Sequence, residues 1–312
     1  MGGDSLDPGA LDRARGALVG LACGDAVGTT LEFRRPGSFE PITDMVGGGP
    51  FDLKPGQWTD DTSMALCLGE SIVAVRGMDL VDQMQRYVRW RDDGHWSSTG
   101  RCFDIGNTTS SQLRRFERTG VAVDPRVDEE AAANGSLMRL APVPIAWHRS
   151  LAEAAERSGE SSTPTHAASR PMDCCRLYGA MVAAVIGGAS LDDVLEPEFW
   201  QWGELHSQVA AIAAGSFRAK SPPAIRGSGF CVDALEAALW AVAGASDYRD
   251  AVLRAANLGD DADTTAAIAG QLAGAWWGLS GIPSEWRSKL TMGDEITAMA
   301  DDLFALFGSV DG

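Results

Sequence analysis

Trp58-Thr59-Asp60-Asp61-Thr62 and Gly259-Asp260-Asp261-Ala262-Asp263-Thr264-Thr265 are the stretches on which the fold and chemistry of this 312-residue chain turn. Each opens a segment of helical apolar spacing: Met64, Cys67, Leu68, Ser71, Ile72 and Val75 after the first, and Ile268, Leu272, Ala275, Trp276 and Leu279 after the second. Both clusters therefore stand at helix N-termini, where a carboxylate can cap free N–H groups and meets the positive end of the helix dipole. Capping accounts for one Asp per helix, but not for five in two places, each cluster followed by Thr. Taken alone, an Asp-Asp-Thr of this kind is usually an N-cap with a spare solvated charge. Here the segments that follow are rich in Ala, Leu, Val and Trp, so the carboxylates border a packed core, where they need cations or partners. No Lys or Arg lies between Thr59 and Val75, or between Asn257 and Ser284. Divalent cations such as Mg²⁺, Mn²⁺ or Ca²⁺ prefer such carboxylate and hydroxyl oxygens, and two helix ends can surround one pair of ions.

Outward from these clusters the pattern stays helical and strand alternation is scarce. Helices are expected at about 10–28, 61–76, 79–91, 107–118, 126–133, 150–157, 172–187, 191–196, 203–215, 231–243, 248–256, 263–278 and 294–306. The expected architecture is all-α, a compact orthogonal helical bundle. Because the two acidic clusters must converge from opposite ends of the chain, a single domain over 9–308 is expected, with flexible termini at 1–8 and 309–312. Gly16, Gly20, Gly24 and Gly28 recur every fourth residue on one helix face. Each costs about 1 kcal/mol against Ala, so the row predicts close approach by another helix. The loop from Arg35 to Gly56, with Gly47-Gly48-Gly49-Pro50, is long for a compact domain and is a candidate lid.

Composition limits the function. Hydrophobic residues make up 45% and charged residues 22% of the chain, ordinary for a globular protein with a sizeable core. A net charge of −17 argues against nucleic-acid polymers and anionic membranes, which call for basic patches. Six cysteines, Cys23, Cys67, Cys102, Cys174, Cys175 and Cys231, lack metal-site spacing and read as small buried hydrophobes in a reducing compartment. No signal peptide or membrane-spanning stretch is legible, and a cytoplasmic monomer is expected.

Gly56-Gln57-Trp58-Thr59-Asp60-Asp61-Thr62, Asn134-Gly135-Ser136-Leu137-Met138-Arg139 and Asn257-Leu258-Gly259-Asp260-Asp261-Ala262-Asp263-Thr264, with Gly16 to Gly28 at the front, resemble the signature segments of the ADP-ribosylglycohydrolases. The resemblance runs from about Arg15 to about Gly281, in order. It implies an all-α bundle with a central binuclear metal cleft, in which Thr59, Asp60, Asp61, Asp261, Asp263 and Thr264 hold two divalent ions, Mg²⁺ or Mn²⁺, with Asp263 as a bridge. Glu32 matches the family's mobile glutamate. Asp60, Asp61 and Glu32 are the candidates for the carboxylate that handles the proton.

The same resemblance assigns the substrate side. Asp104, in Phe103-Asp104-Ile105-Gly106, would contact the ribose, although by itself it reads as a turn residue. Asn134, Gly135 and Ser136 would meet the diphosphate, where exposed N–H groups of a turn hold anions; alone, Asn-Gly is a tight turn. His166 would lie near the phosphates or ribose. Gly229 and Phe230 would line the adenosine or ribose, and where many family members carry Tyr, Phe230 lacks the hydroxyl. Arg139 is expected to make an internal ion pair.

The expected reaction is hydrolysis of the bond joining ADP-ribose to a modified side chain, arginine first. Serine-linked ADP-ribose and O-acetyl-ADP-ribose are alternatives. Two other classes stand beside it: a metal-dependent nucleotide phosphohydrolase, and a nonenzymatic crystallin-like relative. Against the last counts the presence of all six candidate ligands.

Overall fold

A computed structural model describes residues 8–307. Among them are fourteen α-helices and no extended sheet: α1 Pro8–Gly28, α2 Asp60–Val75, α3 Leu80–Asp93, α4 Asn107–Thr119, α5 Pro142–Ala146, α6 Leu151–Ser162, α7 Ser169–Ile186, α8 Leu191–Leu195, α9 Ser207–Ala213, α10 Cys231–Ala243, α11 Tyr248–Ala256, α12 Ala262–Gly281, α13 Ser284–Lys289 and α14 Gly293–Ala305. The all-α expectation holds. Of the expected flexible termini, residues 1–7 and 309–312 lie outside the described residues, while Pro8 opens α1.

The packing of α1 on α12, the most extensive helix contact, positions the site. The two helices run antiparallel with their glycine and alanine rows face to face. A methyl group on Gly16, Gly20, Gly24 or Gly28 would overlap the backbone carbonyl of Gly274, Gly270, Ala266 or Ala262, respectively. The four glycines are therefore the close-approach row that their spacing predicts. As a consequence, the C-terminal end of α1 lies beside the N-terminal end of α12, and Asp25 and Glu32 are carried to Asp261 and Asp263. Buried residues of α1, α2, α7, α10, α11 and α12 form one continuous apolar core around this axis.

Several local expectations are corrected. Residues 126–133 are not a helix: Asp124 accepts from the Arg126 N–H at 3.0 Å and Asp128 from the Glu130 N–H at 3.0 Å, so side chains take the amides that a helix would need. Short α5 was hidden by its two prolines, although Pro142 at the first helical position favours a start, and α13 spans only six residues. The segment expected helical over 203–215 narrows to α9, whereas α6 runs on to Ser162. The 35–56 loop is pinned rather than lid-like. Ile42 and Asn257 exchange two hydrogen bonds of 2.8 and 3.0 Å, Trp286 donates to Asp44 at 2.5 Å, Met45 is buried, and none of the loop lines the central cavity. Arg139 forms no ion pair among the described residues. Its Nη2 donates to Thr165 Oγ1 at 2.7 Å, and its guanidinium lies 4.6 Å from the centre of the Tyr87 ring.

Candidate active site

Several helices here are capped by their own N-cap side chains: Asp79 before α3, Ser150 before α6, Ser190 before α8 and Asp247 before α11. The two acidic helix starts differ. Thr59 before α2 and Asp261 before α12 make no side-chain capping bond. Helix α2 is capped from outside by Asp25 of α1, whose Oδ1 accepts from the N–H and hydroxyl of Thr59, both at 2.9 Å. Its Oδ2 accepts from the N–H and hydroxyl of Thr62 at 3.1 and 2.7 Å. Capping is thus done elsewhere, and the oxygens of the two clusters face each other.

Thr59 Oγ1 lies 2.9 Å from Asp25 Oδ1 and 3.2 Å from both Asp61 Oδ2 and Asp263 Oδ2. A hydroxyl has one proton to donate, so Thr59 can satisfy only one of these three oxygens. Thr264 Oγ1 reaches Asp61 Oδ2 at 3.4 Å. Asp25, Asp61 and Asp263 place one carboxylate oxygen each within 4.8 Å of one another, and Glu32, Asp104 and Asp263 do the same. Asp61 Oδ1, Asp263 Oδ1 and Glu32 Oε2 are buried without a hydrogen-bond partner. No Lys, Arg or His among the described residues pairs with any of these carboxylates.

Electrostatics follow from this crowding. Burial first, then neighbouring carboxylates, push Asp60, Asp61 and Asp263 well above the ordinary carboxylate range. Glu32 is pushed up to about 12 by burial and by Asp263, Asp104 and Asp61. Asp104 rises to about 7, chiefly by burial. Unpartnered buried oxygens, hard donors and the lack of a protein cation fit divalent ions of the Mg²⁺ or Mn²⁺ type.

A cavity of about 350 Å³ opens beside this cluster, lined by Glu32, Asp60, Asp104, Gly135, His166 and Thr264 among others. Asn134, Gly229 and Asp261 also line it. Asn134 joins its halves: its N–H donates to Gly229 O at 3.1 Å and its side-chain amide to Asp261 Oδ2 at 2.6 Å. Other expected residues turn elsewhere. Ser136 is buried and its Oγ donates to Ser162 Oγ at 2.7 Å, away from the cavity, so its hydroxyl is engaged elsewhere. Phe230 does not line this cavity, and Arg170 sits 5.7 Å over its ring. Phe33, Asp104 and Asp260 adopt positive φ of 59° each, and Phe33 N–H bonds Asp260 O at 2.7 Å. Strained backbone of this kind clusters at functional sites. Asp25 was not among the expected site residues; its signal is a charged residue inside the apolar stretch Val19 to Val27.

Comparison with known proteins agrees with the fold. A family model described as ADP-ribosylglycohydrolase matches residues 6–311. The chain is 47% identical to "ADP-ribosylarginine hydrolase Tri1" of Pseudomonas putida (strain GB-1), over 97% of this chain and 80% of the relative. It is 34% identical to the "ADP-ribosyl-[dinitrogen reductase] glycohydrolase" of Rhodospirillum rubrum, over 96% and 98% respectively. A solved structure titled "ADP-ribosylglycohydrolase-related protein complex" superposes with a TM-score of 0.84 at 37% identity, covering 95% of this chain and 98% of that one.

Proposed function

The chain belongs to the ADP-ribosylglycohydrolase family and is a hydrolase of glycosidic bonds, and from that premise we propose that it releases ADP-ribose from mono-ADP-ribosylated proteins, at the N-glycosidic bond to arginine. Two relatives that are 47% and 45% identical carry the name ADP-ribosylarginine hydrolase, which supports arginine over serine or acetyl linkages. The single observation that carries a metal-dependent reaction is the meeting of Asp25, Asp61 and Asp263 oxygens within 3.2 Å of the Thr59 hydroxyl, with no protein cation among them.

Thr59, Asp60, Asp61, Asp261, Asp263 and Thr264 would hold two divalent ions, Mg²⁺ or Mn²⁺. When bound, these ions supply charge neutralisation, orientation of the ribose hydroxyls and an activated water. Asp25 keeps the Thr59 to Thr62 turn in place, and Asn134 orients Asp261. Asp104 and the floor of the cavity face the ribose, and the Gly135 and Ser136 amides with His166 face the diphosphate. Departure of the side chain leaves an oxocarbenium-like centre, and surrounding carboxylates favour that positive charge. Glu32 and Asp60 line the cavity whereas Asp61 does not, so the proton transfer at the anomeric bond falls to Glu32 or Asp60. No helix among the described residues is long and apolar enough to cross a membrane. All six cysteines are free, in keeping with a reducing compartment.

The test is incubation with arginine-ADP-ribosylated protein and Mg²⁺ or Mn²⁺, with and without chelator, read by mass spectrometry. Intact ADP-ribose released only when metal is present is the expected product. Phosphate or AMP would instead identify a phosphohydrolase, and preference for a serine-linked substrate would overturn the arginine assignment.

A further inference from the structure

Arg139 is buried to 1% exposure, yet no carboxylate meets it among the described residues. Its Nη2 donates to Thr165 Oγ1 at 2.7 Å, Nη1 approaches Met64 Sδ at 3.8 Å, and Nε has no partner. Buried arginines are ordinarily paired with an acid, so the purpose of this charge must be sought in what it touches. Thr165 is itself buried, and its Oγ1 lies 2.8 Å from His166 Nδ1.

Proton counting decides the direction of that second bond. A guanidinium can only donate, so Thr165 Oγ1 accepts from Arg139. The threonine proton then has one acceptor within reach, His166 Nδ1. A ring carrying its proton on Nδ1 would leave the Thr165 hydroxyl accepting twice with its own buried proton unplaced. The backbone that carries the ring is fixed on both sides, because the His166 N–H donates to Ser162 O at 2.8 Å and Ser162 Oγ donates to His166 O at 2.7 Å.

We propose that Arg139 and Thr165 are positioning residues that hold His166 as the neutral tautomer with its proton on Nε2, a hydrogen-bond donor aimed at a ligand anion. His166 lines the cavity, and a methyl group on Gly135 would sit 3.1 Å from Nε2, so the glycine leaves this ring edge open. The backbone N–H groups of Gly135 and Ser136 have no acceptor among the described residues and lie on the same turn. Three donors with a buried guanidinium behind them select a diphosphate oxygen over a sugar hydroxyl, which would also need acceptors. The inference rests on the cavity holding the diphosphate of ADP-ribose, as the function proposed above requires.

The test is a long-range proton–nitrogen correlation spectrum of the Mg²⁺-loaded protein labelled with ¹⁵N-histidine, near neutral pH; only four histidines need assignment. Wild-type His166 should show a bare Nδ1 and a protonated Nε2. Thr165→Val should redistribute the proton between the two nitrogens and weaken ADP-ribose binding about tenfold, while Thr165→Ser should restore both. A wild-type ring protonated on Nδ1 or on both nitrogens overturns the proposal, whether or not any variant folds. So does Thr165→Val with unchanged tautomer and affinity. Inorganic pyrophosphate serves as a second probe. Pyrophosphate binding that Thr165→Val weakens supports the relay even if ADP-ribose fails to bind, and that failure would count against the proposed function alone.

Discussion

Thr59 Oγ1 stands 3.2 Å from Asp263 Oδ2, although the two residues belong to helices at opposite ends of the chain. Their meeting joins the two acidic helix starts into one centre. Addition of Mg²⁺ or Mn²⁺ should therefore raise the melting temperature by several degrees, corresponding to about 2.7 kcal/mol at a hundred times the dissociation constant. Asp263→Asn should abolish most of that shift. Manganese titration followed by electron paramagnetic resonance counts the ions, and saturation at one per chain would contradict a pair.

Asp25 should matter for stability as much as for catalysis. Asp25→Ala removes four hydrogen bonds and strands the buried Thr59 and Thr62 amides. A loss of about 2–3 kcal/mol is expected in urea unfolding. A variant as stable as the wild type would show that α2 finds another cap.

Substituting Gly20→Ala pushes a methyl group into the Gly270 carbonyl. Overpacking of a rigid backbone contact should cost about 3 kcal/mol or more, and the displaced α1 should also weaken metal binding by moving Asp25 and Glu32. Calorimetry of metal binding in the folded variant separates the two effects.

Asn134→Ala removes the 2.6 Å bond to Asp261 Oδ2. Loss of such an outer partner typically lowers metal affinity or activity about 10–100-fold. Measured kcat at saturating and limiting Mn²⁺ tells which; unchanged values at both would leave Asn134 a structural link to the Gly229 loop.

Burial, with a smaller contribution from Arg139, pushes His166 down from 6.5 to about 3. The folded ring stays neutral while the unfolded one takes up a proton below its ordinary value. Its contribution is intact above pH 6.5 and is lost as pH falls toward about 3, by up to about 1.4 kcal/mol per pH unit. Urea unfolding between about pH 7 and pH 5 should show a steeper decline in the wild type than in His166→Gln. Equal slopes would mean that the ring titrates alike in both states.

Much of the acidic cluster was legible because its residues are local: Thr59 to Asp61 and Asp261 to Thr264 each form one helical turn, and the glycine row of α1 announces its partner. Asp25 escaped notice because its partners, Thr59 and Thr62, lie on another helix, and a lone charge in an apolar stretch does not name them. The 126–133 segment misled for the opposite reason. Its composition favours helix, but Asp124 and Asp128 capture the amides through side chains. Arg139 was expected to find an acid; instead an aromatic face and a hydroxyl receive it, a choice made by packing at a distance.

The antiparallel seam of α1 and α12 also dictates when the molecule can be born. During synthesis the first helix emerges with its buried side chains uncovered, and α12, which packs along it, follows only after α2 to α11 have been made. Closure of so long a loop is slow and leaves greasy intermediates in between, so this chain should lean on chaperones until α12 is free.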